Sequence, residues 1–158
     1  MRARTFADNR VMRRHISAVL SAVSAAAIAT AGVAAADGPV EIKSRLGDAC
    51  LDAPSDVWPN HVMVNPCNGS DFQRWNLTGD QRLESAAFPG KCLNRPQDIE
   101  ALRLVACWGS QHWSLQPDGH ITATLGGCLT LLGGPEPGTG VGSRFCGGGP
   151  EQGWDAVP

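Results

Sequence analysis

The sequence predicts an all-β domain of twelve short strands, built as three copies of one four-stranded unit about a threefold axis. Three observations predict it. The motif Gln-x-Trp occurs as Gln73-Arg74-Trp75, Gln111-His112-Trp113 and Gln152-Gly153-Trp154, with the tryptophans 38 and 41 residues apart. Beyond residue 36 the chain holds six Gln and five Trp, so chance would leave well under one Trp two residues after a Gln. Such a period marks a repeat whose single units cannot bury their apolar faces alone. Two cysteines precede each motif, and short apolar runs recur between Gly, Pro and Asp turn signals while no 3.6-residue apolar period persists for three turns.

Residues 1–36 stand apart from this pattern. Arg2, Arg4, Arg10, Arg13 and Arg14 form a basic start, an apolar stretch runs from Ile16 to Val33, and Ala34-Ala35-Ala36 offers an Ala-x-Ala cleavage site before Asp37. This predicts a secretory signal peptide and a secreted, extracellular protein. The stretch carries four Ser or Thr and much Ala, a poor match to the ~20 strongly apolar residues of a spanning helix, so no membrane insertion is expected after cleavage. Met12 offers a second start. General export is favoured over the twin-arginine route, because His15-Ile16-Ser17 follows Arg13-Arg14 where an apolar pair would be usual.

The remaining segment, 37–158, suits one domain with one core. Its eight basic residues stand against fourteen acidic ones, a formal net charge of −6 with neutral histidines. No Lys/Arg cluster provides the basic face that counterion release requires, so neither nucleic acid nor an anionic membrane surface is an expected partner.

All six cysteines fall in this segment, an even number that behind a signal peptide reads as a disulfide framework. Six cysteines allow fifteen connectivities, and the repeat selects among them: Cys50 with Cys67, Cys92 with Cys107, Cys128 with Cys146. Each loop closed in this way stabilises by roughly 3 kcal/mol in the chain-entropy model. A zinc site is not expected, since there is no Cys-x-x-Cys and the histidines stand at no ligand spacing. No other metal or cofactor is expected either.

The copies align by their punctuation. A first strand (40–44, 82–85, 121–124) leads to a turn at Gly47-Asp48, Pro89-Gly90 or Gly126-Gly127. A cysteine strand follows, as Cys50-Leu51-Asp52, Cys92-Leu93-Asn94 and Cys128-Leu129-Thr130. After a polar loop, an apolar strand ends on the second cysteine (62–67, 102–107, 141–146), and a second loop leads to the Gln-x-Trp strand. Thr78-Gly79-Asp80 and Pro117-Asp118-Gly119 join the copies with the chemistry of tight hairpin turns. Residues two apart in a strand share a face, so Gln and Trp of each motif are expected to point inward as structural residues, with Arg74, His112 and Gly153 outward.

The three Gln-x-Trp repeats, the cysteine pair in each copy, Cys50-Leu51-Asp52 in the first copy and Cys67-Asn68-Gly69 before the first motif closely resemble the ricin-type β-trefoil, the carbohydrate-binding module of the ricin B chain. The resemblance covers about Val40 to Trp154. It implies a three-lobed β-trefoil, with lobes of about 38–78, 79–117 and 118–158, that binds galactose-type or related sugars in shallow pockets without catalysis.

Carried over position by position, the family's pocket is incomplete in every lobe. The Asp that follows Cys-Leu and accepts hydrogen bonds from sugar hydroxyls is Asp52 in lobe one, Asn94 in lobe two and Thr130 in lobe three. The stacking aromatic two residues before the second cysteine is replaced by Asn65, Val105 and Arg144. The Asn just before the motif Gln is replaced by Phe72, Ser110 and Glu151. Lobe one is the best candidate, because Asp52 survives and Trp58 and Phe72 are placed to substitute for the missing stacking surface. Lobe two offers Asn94 with Trp108. The alternative roles are a turn-forming Asp52 and partial burial of Trp58 and Trp108 over the barrel rim.

Two Asn-x-Ser/Thr sequons, at Asn68 and Asn76, are better explained by turn and strand structure than by glycosylation. The expected function is a secreted lectin-like binder of carbohydrate or glycoconjugate. The alternative is a degenerate trefoil that binds or inhibits a protein. An enzyme is not expected. Asp52 and Asp56 are the nearest pair of carboxylates to the geometry glycoside hydrolysis needs, but the trefoil uses the whole segment and leaves no catalytic domain.

Overall fold

The computed structural model describes residues 38–158, so the expected export segment lies outside the described residues. Twelve strands fall into three groups of four: β1 (Val40–Ser44), β2 (Ala49–Asp52), β3 (Met63–Pro66) and β4 (Arg74–Leu77); β5 (Leu83–Ser85), β6 (Lys91–Asn94), β7 (Arg103–Ala106) and β8 (Trp113–Leu115); β9 (Ile121–Ala123), β10 (Cys128–Leu131), β11 (Thr139–Arg144) and β12 (Trp154–Val157). The first and last strand of each group form the barrel. β1 pairs with both β4 and β12, β4 with β5, and β8 with β9. Backbone bonds from Trp113 N–H to the Gln81 carbonyl (2.7 Å) and from Trp154 N–H to the Gly119 carbonyl (2.9 Å) complete the circuit.

The middle strands form hairpins, β2–β3, β6–β7 and β10–β11, each closed by one predicted disulfide. The hairpins meet in a ring of backbone bonds. Val62 N–H donates to the Leu102 carbonyl (2.9 Å), Leu102 N–H to Val141 (2.7 Å) and Val141 N–H to Val62 (3.4 Å). All three residues are buried, so this ring marks the threefold axis and satisfies backbone groups that water cannot reach. The fold is a β-trefoil.

The tryptophans set the core. Trp75, Trp113 and Trp154 are buried, and each indole N–H donates to the carbonyl of the Leu after the first cysteine of its lobe: Leu51 (2.9 Å), Leu93 (3.0 Å) and Leu129 (2.9 Å). A Trp that buries ~200 Å² at ~25 cal/mol/Å² contributes about 5 kcal/mol as an upper figure, more than the ~3 kcal/mol expected of a disulfide. Aromatic burial and the cross-links thus contribute on the same order.

Three features differ from the expected pattern. The apolar hairpin strands stop before the second cysteine, at Pro66, Ala106 and Arg144. In lobe one the reason is Pro66, which has no N–H to continue a ladder. The motif Gln stands outside the strand: Gln73 and Gln152 end 3-10 turns at Asp71–Gln73 and Pro150–Gln152, whereas in lobe two the turn is Cys107–Gly109 and Gln111 follows it. Finally, Arg74, His112 and Gly153 are half-buried rather than fully solvated. At Gly153 the cover is Arg45, whose Cδ would lie 2.9 Å from an added Cβ.

Candidate functional site

Asp52 closes β2, with Ala53-Pro54 next in the chain. A proline there donates nothing to a ladder and turns the chain into the hairpin loop. Across the hairpin Asp52 faces Met63 and Cys50 faces Asn65, which makes Asn65 the diagonal neighbour of Asp52 on the same face. Asn65 Nδ2 donates to Asp52 Oδ2 at 3.1 Å, and Gln73 Nε2 donates to the same oxygen at 2.9 Å. Asp52 is 5% exposed, and its other oxygen, Oδ1, is buried with no hydrogen-bond partner.

An unmet carboxyl oxygen at such depth is costly unless water or a ligand donates to it. Two amides hold the carboxyl in one orientation and leave Oδ1 without a protein donor. The supports are themselves anchored. Gln73 Nε2 also donates to the Pro66 carbonyl (3.0 Å), and its Oε1 accepts from Asn68 N–H (2.9 Å). Asn65 Oδ1 accepts from Gly138 N–H at 3.1 Å, tying the site to the hairpin loop of lobe three.

The structure brings together Asp52, Asn65 and Gln73. Gln73 was expected to be structural, and its second role went unread. A signal for it lies in the spacing, since Gln73 follows Asp52 by 21 residues and Gln152 follows Thr130 by 22. Gln152 Nε2 reaches Thr130 Oγ1 at 3.1 Å in the same way.

The aromatic candidates go elsewhere. The Phe72 carbonyl accepts from Ala53 N–H at 2.9 Å, next to Asp52, but its ring packs on Phe88 of lobe two with centroids 5.8 Å apart. Trp58 is 71% exposed and lies under the Arg103 guanidinium of β7, 5.4 Å from ring centroid to Cζ, and its ring stands at 74° to that of His61. Trp108 is 88% exposed on its 3-10 turn. Neither Trp is buried over the barrel rim; each sits at a loop where no apolar layer covers it.

Lobe two is organised differently. Asn94 Oδ1 accepts from the backbone N–H of Gln111 (3.1 Å), and the Gln111 Nε2 is buried without a partner. The cause is length. Four residue steps separate Cys107 from Gln111, against six in the other lobes, so the amide never swings back to the position of Gln73. In lobe three Thr130 spends its hydroxyl on the Cys128 carbonyl at 2.7 Å. Among the described residues no group of three or more His, Cys, Asp or Glu side chains is arranged to hold a metal ion.

These features define a β-trefoil with one buried, partly unmet carboxyl in its first lobe. Residues 38–154 match the ricin-type beta-trefoil lectin domain, and the chain belongs to that family. It is 56% identical over 143 residues to the uncharacterized protein Rv1419 of Mycobacterium tuberculosis (strain ATCC 25618 / H37Rv), covering 89% of this chain and 90% of that one. The fold is similar to the agglutinin of Abrus precatorius (TM-score 0.66, 20% identity, 75% of this chain), of which this chain spans about half, 48%. It is also similar to the Vibrio vulnificus hemolysin/cytolysin β-trefoil lectin with N-acetyl-D-lactosamine bound (TM-score 0.65, 20% identity, 76% of this chain and 93% of that chain).

Proposed function

We propose that this protein is a secreted lectin that binds a neutral sugar of the galactose type at Asp52 in lobe one, without catalysis. The observation that carries the proposal is the buried Asp52 Oδ1, which lacks a partner while Oδ2 is held by Asn65 and Gln73. A carboxylate that accepts from a hydroxyl makes the stronger kind of hydrogen bond. Membership of the lectin family and the sugar bound to the Vibrio lectin support the ligand class. With Asn65 where a stacking ring would stand, one lobe supplies little apolar contact. A monosaccharide is therefore expected to bind near 1 mM, about −4 kcal/mol, and clustered glycans gain by avidity. On a glycan array the wild-type protein gives signals that Asp52→Ala abolishes. Equal signals from the two proteins refute the assignment.

A second reading has its own support. Trp58 and Trp108 expose large apolar rings, as suits a degenerate trefoil that binds a protein. Capture of a protein partner that free sugar does not elute, and that Trp108→Ala loses, favours it.

A further inference from the structure

A second cleft on the described surface does not include Asp52. It lies between the lobe-two hairpin loop and lobe three, has a volume of about 680 Å³, and is lined by Arg95 and Glu100 on one side and by Leu125, Ser143, Arg144 and Phe145 on the other. That volume falls in the roughly 300 to 1,000 Å³ range of small-molecule sites. Of the family's expected sugar positions it contains Arg144 alone; Asp52, Asn94 and Thr130 are not in its lining.

Its chemistry is specific. Arg144 Nε donates to Glu100 Oε1, and both side chains are about half exposed. That bond holds the Glu100 carboxyl below its ordinary value, and the Arg95 charge acts in the same direction. Arg95 is exposed and forms no ion pair among the described residues. Two guanidinium groups thus flank the Glu100 carboxylate, the charge of Glu151 acts on Arg144, and Arg95 keeps no ion-pair partner among the described residues. Asp98, which also lines the cleft, pairs with Arg103 at 3.4 Å. On the same side as Arg144, Leu125 and Phe145 are 86% and 89% exposed. At the floor, Ser143 Oγ is buried without a partner. The backbone can approach it because Gly127 adopts φ +97°, where a Cβ would come within 2.6 Å of that oxygen.

We propose that this cleft is a second binding site, for a carboxylated saccharide such as a hexuronic or sialic acid unit. Arg95 and the free edge of Arg144 bind the carboxylate, in the fork geometry that makes guanidinium the better partner than ammonium. Glu100 accepts from ring hydroxyls, and the exposed face of Phe145 covers the apolar side of the pyranose. A sugar matches this mixture because each of its hydroxyls both donates and accepts, meeting Glu100 and the guanidinium groups together. The net charge of −6 beyond residue 36 does not prevent this. Screening over about 8 Å at physiological ionic strength leaves the local charges dominant.

The site is independent of Asp52, and amide NMR titration of the purified protein separates the two. Glucuronic acid and N-acetylneuraminic acid are expected to shift the amides of Arg95, Leu125 and Phe145 and to bind at least fivefold more tightly than glucose does there. Arg95→Gln and Phe145→Ala each weaken the acidic sugars at least fivefold, while Asp52→Ala leaves them unchanged. Raising the salt from low to high weakens the acidic sugars and not glucose. Equal binding of glucose and glucuronic acid in the cleft, shifts that follow Asp52, or no shift at all overturns the proposal. Binding of tri-glutamate as tight as that of the acidic sugars overturns the saccharide assignment in favour of an acidic peptide.

Discussion

Lobes one and two begin from the same motif and use it differently. In lobe one Gln73 makes three side-chain hydrogen bonds, to Asp52, to the Pro66 carbonyl and from Asn68 N–H. In lobe two Gln111 contributes its backbone N–H to Asn94, and its side-chain Nε2 is buried and unmet. The tryptophans two residues later are equivalent, each donating to a Leu carbonyl. The difference teaches that the repeat keeps its core strictly and its rim loosely. Removing two residues between cysteine and Gln leaves Trp113 in place but detaches the amide from the position that, in lobe one, orients a carboxyl.

Substitutions test this division, beginning with what the lobes share. Trp75→Ala and Trp113→Ala are each expected to cost about 3 to 5 kcal/mol by cavity formation and lost burial, measured by denaturant unfolding. A loss confined to one lobe would show that the lobes' cores are not equivalent. The next effect separates them. Gln73→Ala leaves a carbonyl, an N–H and part of a carboxyl unmet and is expected to cost about 3 kcal/mol, whereas Gln111→Met removes an amide that already lacks a partner and is neutral or stabilising by up to ~1 kcal/mol. Equal costs would contradict the comparison.

The smallest effect lies at the joints. Asp80, between lobes one and two, is held below the ordinary carboxylate value by the Thr78 hydroxyl and then by Arg82; Asp118, between lobes two and three, is held low by the backbone N–H of His120. A depressed folded pKa contributes stability above the unfolded value of 3.8, and that stability is lost as pH falls through the lower folded value. Both groups are exposed, so the effect is small. Thermal melts at falling pH are expected to show a shallower acid decline for Asp80→Asn and Asp118→Asn than for wild type, by similar amounts at the two joints.

Much of the fold was legible because it is repeated. Three tryptophans and six cysteines at matched spacing imply one unit used three times, and that implies the disulfide partners, which the structure pairs as expected. The site was less legible because it depends on direction. The place of Asp52 after Cys50-Leu51 makes it a candidate, but nothing in the string says that Phe72 turns to Phe88 or that Trp58 stacks under Arg103. Those contacts join residues of different lobes, where one-dimensional spacing carries no information. Gln73 was hidden by its own regularity, since a residue repeated for the fold reads as structural even where one copy also orients a carboxyl. The shorter loop before Gln111 was visible in the spacing and is the signal that marks lobe two as the outlier.

The central claim is that lobe one binds sugar through the unmet oxygen of Asp52. A calorimetric titration with galactose or lactose, run on wild type, Asp52→Asn and Gln111→Met, tests it most directly. The predicted result is one sugar bound per chain in wild type and in Gln111→Met, with binding weakened at least tenfold in Asp52→Asn, whose melting temperature verifies the fold. Undiminished binding by folded Asp52→Asn, or no binding by wild type, would contradict it.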